Sequence, residues 1–579
     1  ATTNEYDANA NLTKTVRPRG NATYYAYDEL NRQTKVTGAL LKTTYFTYDA
    51  VGNRTRQTDP RGHSTYYTYD DLNRQTKVVN ALLQATYYAY DAVGNQTEVK
   101  DAKLRTTETF YDKEGRRTRV KDAKGYNTYY AFDSVGNQTT VTNARGYTTR
   151  TYYDELDRQE CVKDAKGGKT YYAYDENGNQ SQVKNPRGYT TYHYYDVLDR
   201  QEKVVDALGN PTYYTHDENG NQTRVKNARG FATDTEYDCL NRQVRVTDAM
   251  SGETYYAYDA NGNQTLVVDA RGKPTYYTFD ALDRQTKVVN ARLEATYYEF
   301  DEAGNQTAVQ KPLGNRSISH YDELNRVRCS ENALGQKTYY EFDEVGNQTK
   351  IKDALENPTY YEYDELNRRT KVIDAKGNET DYSYDQNGNQ LWVEKPLGNK
   401  SYSHYDELDR VFCSENALNQ KTYYEFDEAG NQIAVTDPLL NTTYHEYDAL
   451  NRQTKAKNPL GETTYYTYDE NGNQKTIKNP RLYVTTNHYD AVDRLVRVVD
   501  AKDGETYYAY DANGNQTQVR NARLYSSWSH YDELNRVWCS EDALTKKTYY
   551  EFDANGNQTK VKDPRGNVTE TVYDDLDRT

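Results

Sequence analysis

Aromatic and polar residues alternate along this chain in short runs that recur every 21 positions. An aromatic-Asp dipeptide stands at Tyr6-Asp7, Tyr27-Asp28 and Tyr48-Asp49, and so on to Tyr573-Asp574. The aspartates fall at 7 + 21k for k from 0 to 27, giving 28 copies without insertion or deletion. The residue before Asp is Tyr or Phe in every copy except that of His216. In one copy, Thr23-Tyr24-Tyr25-Ala26-Tyr27 is rich in residues that suit strands. Asp28-Glu29-Leu30-Asn31 follows as a loop, and Arg32-Gln33-Thr34-Lys35-Val36 as a second strand. The third residue after Asp is Gly, Asn or Asp in 27 of 28 copies, Ala10 being the exception. A three-residue hairpin loop closing on a left-handed residue needs those types there. Segments such as Asp59-Pro60-Arg61-Gly62 and Asp206-Ala207-Leu208-Gly209 carry type I turn chemistry. Each 21-mer therefore predicts two short strands and two turns, and the whole chain 56 strands.

A second period of 42 residues lies over the first. The fourth residue after Asp alternates between Asn, in 14 copies such as Asp259–Asn263, and Arg, in 14 copies such as Asp28–Arg32. If Asp28 faces Arg32, simple antiparallel counting sets Tyr27 against Gln33, Tyr25 against Lys35 and Tyr24 against Val36. Val or Ile fills the Val36 position in 21 of 27 copies, which makes the last pair aromatic against β-branched, a favourable class. Asp28–Arg32 and Asp322–Arg326 are the expected structural carboxylate–guanidinium pairs. Isolated two-stranded hairpins are marginal, so the copies must stack. The fold class read from the residues is all-β, with residues 1–579 one continuous array and no separate domain. Fixed self-similarity of this kind marks a repeat architecture.

Composition sharpens this. There are 63 Tyr but 10 Phe and one Met, with 35% hydrophobic and 28% charged residues. Such charge would fit disorder, but disordered chains are poor in aromatics. The net charge of −15 disfavours nucleic acid, whose backbone requires a basic surface, and anionic membranes. No apolar run approaches the roughly 20 residues of a spanning helix, so membrane insertion is not expected. The chain starts at Ala1 without an initiator Met and is expected to be a segment of something longer.

The repeat Tyr-Asp-x-x-Gly-Asn-Gln-Thr, alternating with Tyr-Asp-Glu-Leu-Asn-Arg, resembles the YD (tyrosine-aspartate) repeat of the Rhs family over the whole chain. Related repeats occur in Tc toxin shells, bacterial wall-associated proteins and teneurins. The resemblance implies a long β-sheet wound spirally into a hollow shell or tube, a β-solenoid of 21-residue hairpins in 42-residue pairs. It also implies toxin, adhesion or cell-surface roles.

Candidate chemistry is sparse. The recurrent aspartates do not match calcium-loop spacing and read as turn caps. No metal site and no cofactor is expected. No nucleophile elbow, zinc-binding His-Glu-x-x-His or phosphate loop is present, so no enzyme activity is expected. Cys161, Cys329, Cys413 and Cys539 share one phase, and His320, His404 and His530 precede three of them by nine residues. Simple counting sends those His and Cys to opposite faces and marks them as a duplicated variant. Cys239 is out of phase, and free thiols are expected. Asn-x-Ser/Thr occurs in 11 of the 14 Asn copies. Asn95, Asn137, Asn221, Asn263, Asn347, Asn515 and Asn557 are thus candidate glycosylation acceptors, although Asn also suits the turn exit.

The function expected is a non-enzymatic structural protein forming an extracellular tubular filament or surface fibre. The alternatives are the wall of an Rhs/Tc-type toxin-encapsulating shell, and a cell-surface adhesin. Partners expected are the same chain end to end, by self-association or continuation, and glycans.

Overall fold

A computed structural model describes residues 2–579. Fifty-five strands run in chain order from β1 (Thr3–Tyr6) to β55 (Val568–Glu570), and no α-helix occurs among the described residues. Each strand pairs antiparallel with the next, as β3 (Ala22–Tyr27) does with β4 (Gln33–Thr37), and β4 with β5 (Thr43–Tyr48). The result is one meandering sheet. The count falls one short of 56 because no second strand forms after the last loop. Hairpin loops that begin at the YD aspartate line one rim, called here the YD rim. The turns between copies line the far rim.

The two rims share one turn chemistry. Asp28 Oδ1 accepts the amides of Leu30 and Arg32, both at 3.0 Å. Asn31 closes the loop at φ 59°. On the far rim, Asp59 Oδ1 accepts the amides of Arg61 and His63, both at 2.9 Å, and Gly62 closes the turn at φ 91°. That closing position was expected to be Gly. Leu41, Leu83 and Leu104 hold it at φ 60–62° although the side chain disfavours that region; their turns begin at Gly38, Asn80 and Asp101, and each closing amide donates to the carbonyl of that first residue.

The register departs from simple counting. Tyr27 does face Gln33, but Ala26 faces Lys35, Tyr25 faces Val36 and Tyr24 faces Thr37. Thr34 is an extra residue, a β-bulge, and every hairpin carries the same shift; Tyr88–Val99 and Tyr340–Ile351 are counterparts of Tyr25–Val36. A bulge puts two residues of one strand opposite one of the other, so all pairs beyond it move by one. The aromatic–β-branched pair survives with a different tyrosine.

Pairing between copies covers only Lys35–Thr37 against Thr43–Tyr45. Beyond it, toward the YD rim, the hydroxyl of Tyr48 donates to the carbonyl of Gln33 at 2.8 Å. The same bond recurs fifteen residues apart along the sheet, as Tyr153 to Gln138 at 3.1 Å and Tyr489 to Gln474 at 3.0 Å. The tyrosine of the motif therefore closes the gap where the ladder stops.

Candidate functional site: the seam between turns of the spiral

At the YD rim the Asn and Arg copies reach forward differently. Arg32 Nε donates to Asp28 Oδ2 at 2.8 Å, while its Nη1 donates to the carbonyl of Asp49 in the next copy. Its guanidinium also lies 5.0 Å from the ring centroid of Tyr48, a cation–π contact. The fork of Arg32 is thus divided between its own loop and the sheet, whereas Arg326 keeps the bond to its own loop, Nε to Asp322 at 2.7 Å, and its buried Nη1 has no hydrogen-bond partner. Asn53 Nδ2 donates to Asp49 Oδ2 at 3.0 Å and to the left-handed Asn73 of the next copy at 2.8 Å. Arg copies, except that of Gly115, place a side-chain acceptor at the left-handed position, whereas Asn copies mostly place Gly there. The 42-residue period is this alternation of donor and acceptor.

The candidate glycosylation residues lie in this network. The amide nitrogens of Asn137, Asn263 and Asn515 each donate both to the loop aspartate and to the next copy. Asn221, Asn347 and Asn557 do the same. Asn95 bonds Asp91 alone, at 2.9 Å, because Gly115 stands where the next acceptor would be.

The cysteine copies require a correction. His320 stands directly opposite Cys329, His404 opposite Cys413 and His530 opposite Cys539. Opposed residues share a face, so the bulge brings together pairs that counting without it sends apart. Cys329, Cys413 and Cys539 are buried. Trp538, the bulge residue beside Cys539, lies 5.9 Å from His530 and 6.2 Å from Tyr549 between ring centroids. Burial pushes the Cys413 and Cys539 thiols up. All five cysteines are free. No group of three or more metal-ligating side chains occurs among the described residues.

Sequence reasoning did not single out a row of basic residues on the far rim, and these carry the long-range contacts. The backbone amide of Arg145 donates to Asn387 Oδ1 at 3.2 Å. Its guanidinium donates to the carbonyls of Tyr405 and Asp406, both at 2.9 Å, and to Asp409 Oδ1 at 2.6 Å. Arg187 meets Tyr447 and Asp448 in the same way, and Arg229 meets Tyr489 and Asp490. In two Arg copies the far-rim residue is a lysine that bonds a loop aspartate, Lys124 to Asp364 and Lys166 to Asp406, both at 3.1 Å, with Glu365 and Glu407 at 3.6 and 3.7 Å. Burial pushes the Asp406 carboxyl up, but bonds from Arg410 and Lys166 more than reverse that and hold it at about 2.

Each of these arginines sits between two YD loops, for Arg19 those of Asp259 and Asp280. The mean step is 252 residues, or 12 × 21, and it is unchanged from Arg19 to Lys311, which meets Asp577. The sheet therefore returns to itself after twelve copies. At about 4.8 Å per strand, 24 strands give a circumference of about 115 Å and a diameter of about 37 Å. Because twelve is even, the 42-residue alternation stays in phase from one turn to the next. The sequence signal was available: the position twelve after Asp is basic in the Asn copies from Arg19 to Arg271.

The RHS Repeat family model matches eight segments, residues 48–82, 174–211, 237–275, 258–295, 342–379, 426–463, 447–481 and 489–523. The chain carries RHS repeats. No curated protein matches this YD/Rhs-repeat chain. Among solved structures it is similar to the crystal structure of TcdB2-TccC3-TEV, with TM-score 0.66 and 12% identity over 99% of this chain and 43% of the other. The crystal structure of TcdB2-TccC3-Cdc42 matches with TM-score 0.63 and 12% identity over 96% and 40%. The Photorhabdus luminescens Tc holotoxin pore matches with TM-score 0.61 and 14% identity over 97% and 40%. This YD/Rhs-repeat chain thus spans about two fifths of the length of those chains, and at such identities the likeness is one of fold. No helix of the described residues is long and apolar enough to cross a membrane.

Proposed function

We propose that this chain is a non-enzymatic wall element, a single array of YD repeats that forms an extracellular or cell-surface tube. The observation that carries this is the seam. One contact scheme repeats at a constant twelve-copy step from Arg19 to Lys311, and a constant step generates an open helix. At 12 copies per turn, 28 copies make about 2.3 turns. Its partners are further YD repeats, in the same chain or another copy, with no nucleic acid and no membrane insertion. Cryo-electron microscopy of the chain should show hollow tubes about 37 Å across at backbone radius. Open ribbons, or a winding other than twelve copies, would overturn the reading.

A second reading, the wall of a toxin-encapsulating shell, is favoured by the likeness in fold to the Tc structures over 96–99% of the chain. A second polypeptide enclosed in native particles and protected there from protease would select it.

A further inference from the structure

Five loops held by the seam carry the same dipeptide. Asn261-Gly262, Asn387-Gly388, Asn471-Gly472, Asn513-Gly514 and Asn555-Gly556 stand at the second and third positions after the loop aspartate. Each asparagine oxygen accepts a backbone amide from the far-rim turn one winding back, that of Arg19, Arg145, Arg229, Arg271 and Leu313 respectively, at 3.1–3.3 Å. The nitrogen of the same side chain faces a carboxylate. Asn387 Nδ2 lies 3.1 Å from both oxygens of Asp409, Asn471 Nδ2 3.0 Å from Asp493 and Asn513 Nδ2 2.6 Å from Asp269. The glycine nitrogen that follows is engaged too: Gly388 N donates to the carbonyl of Asp385 at 3.3 Å, and Gly472 and Gly514 donate to Asp469 and Asp511 at 3.1 Å.

Asparagine followed by glycine is exposed to attack by its own backbone, because glycine puts no side chain beside the attacking nitrogen. That nitrogen bonds to Cγ of the asparagine, ammonia leaves and a succinimide ring closes. Water then opens the ring to an aspartyl or an isoaspartyl residue. One water is consumed, one ammonia is released and nothing is oxidised. We propose that these asparagines are self-modifying sites of the seam. In the wound chain both reacting groups are engaged elsewhere; in an unwound chain they are free, the asparagines deamidate, and the product opposes winding. The proposal rests on the wound wall described above.

The opposition comes from charge. An ionised carboxylate accepts hydrogen bonds and donates none, so at residue 387 the bond to Asp409 is lost and two like charges face each other. Arg145 cannot compensate, since it already serves Asp385 at 3.3 Å and Asp409 at 2.6 Å. An isoaspartyl product also lengthens the main chain of the loop by one carbon. The repeats carry the same exclusion. In the 14 Asn copies the second position after Asp is Asn, Val or Ala and never acidic, although the position before it is Glu in six of them. Ala303 and Ala429 stand there in loops whose aspartates pair with Arg61 and Arg187. The position therefore does without a hydrogen bond but admits no carboxylate.

Two measurements test this, and neither requires refolding. Chain 1–579 is aged at pH 8 in buffer and in urea, and peptide mass spectrometry reads the conversion of amide to acid. Conversion at the five sites should be at least about fivefold slower in buffer, as for a reaction that waits on local opening. Asn387→Asp/Asn471→Asp/Asn513→Asp is then compared with Asn387→Ala/Asn471→Ala/Asn513→Ala by small-angle scattering through a urea titration. The Ala variant should unwind close to the wild-type midpoint and the Asp variant at lower urea. Equal conversion in buffer and urea, or equal midpoints for the two variants, overturns the proposal and leaves the wall reading standing. Open ribbons from the fresh wild-type chain overturn both.

Discussion

The guanidinium of Arg145 donates to the backbone carbonyl of Asp406 at 2.9 Å, although 261 residues separate them. The same side chain bonds Tyr405 O and Asp409 Oδ1, so one residue pins a whole YD loop to the turn before it. Arg145→Ala should loosen that loop by about 2 kcal/mol, the range for hydrogen bonds from a charged donor. Lys103 and Arg187 hold the seam on either side, so the tube should stay wound. Hydrogen exchange at the Asp409 amide should speed up about thirtyfold, the rate factor that 2 kcal/mol sets. Unchanged exchange there would mean the seam does not depend on the arginine row.

The hairpin, its left-handed closing residue and the Asp28–Arg32 pair are legible in the sequence because they are local. The bulge is not. Thr34 suits a regular strand as well as a bulged one, and only the Tyr48 hydroxyl on Gln33 marks what happens there. The winding was also hidden. Arg145 carries no local sign that it meets Asp406, since in its own turn it fits as a solvated residue of a type I turn. Its basic counterparts at 42-residue intervals form a visible row, yet the number twelve enters only through curvature, which sheet geometry sets and no single residue encodes.

Gly115 offers a natural control for the Asn network. Thirteen of the fourteen Asn copies bond the next left-handed residue at 2.6–2.9 Å. Gly115, at φ 76°, leaves Asn95 without that acceptor. Gly115→Asn supplies it at a backbone angle Asn tolerates. An added Cβ would lie 3.3 Å from Asn95 Oδ1, so that amide must shift by a few tenths of an ångström. The expected gain is about 0.5–1 kcal/mol, seen as slower exchange in residues 95–116. A loss of protection would show that the shift outweighs the new bond.

The motif tyrosine can be tested alone. Tyr405 donates to Gln390 O at 3.1 Å, and Tyr405→Phe removes only the hydroxyl. About 1 kcal/mol should be lost, a modest figure consistent with the six copies that carry Phe at this position. Tyr489→Phe should cost less, because Asn487 also donates to the same carbonyl, Gln474 O, at 2.9 Å. Equal losses at the two sites would argue that ring packing, not the hydroxyl, is what the tyrosine supplies.

Acid should open the seam in a defined window. Asp406 and Asp577 both lie at about 2 in the folded chain, Asp577 through bonds from Lys311 and Asn557. Unfolded aspartate titrates near 3.9. A depressed folded value means the stabilisation is complete above about pH 4 and lost as pH falls through about 2. Small-angle scattering should therefore show the radius growing between about pH 4 and 2. Lys166→Met should raise the midpoint, since it removes one group that holds Asp406 ionised. Opening with a midpoint near pH 6 would point to histidine instead and discard this account.

The Asn-x-Thr sites lead to the last prediction. A glycan takes one of the two hydrogens on the Asn amide nitrogen. At Asn137 that nitrogen gives one hydrogen bond to Asp133 and one to Asp157, and at Asn263 one to Asp259 and one to Asp283. A sugar at either position breaks a lateral bond and must fit between loops only about 10 Å apart, two strand spacings. Attachment precedes folding, so the effect should appear as segregation. From a glycosylating host, wound tubes should carry no sugar at Asn137, Asn221, Asn263, Asn347, Asn515 or Asn557, while modified chains should collect in the unwound fraction. Asn95 keeps only its bond to Asp91, so any occupancy within tubes should concentrate there. Peptide mass spectrometry of the two fractions decides it, and wound tubes bearing a glycan at Asn263 would show that the Asn network is dispensable to the fold.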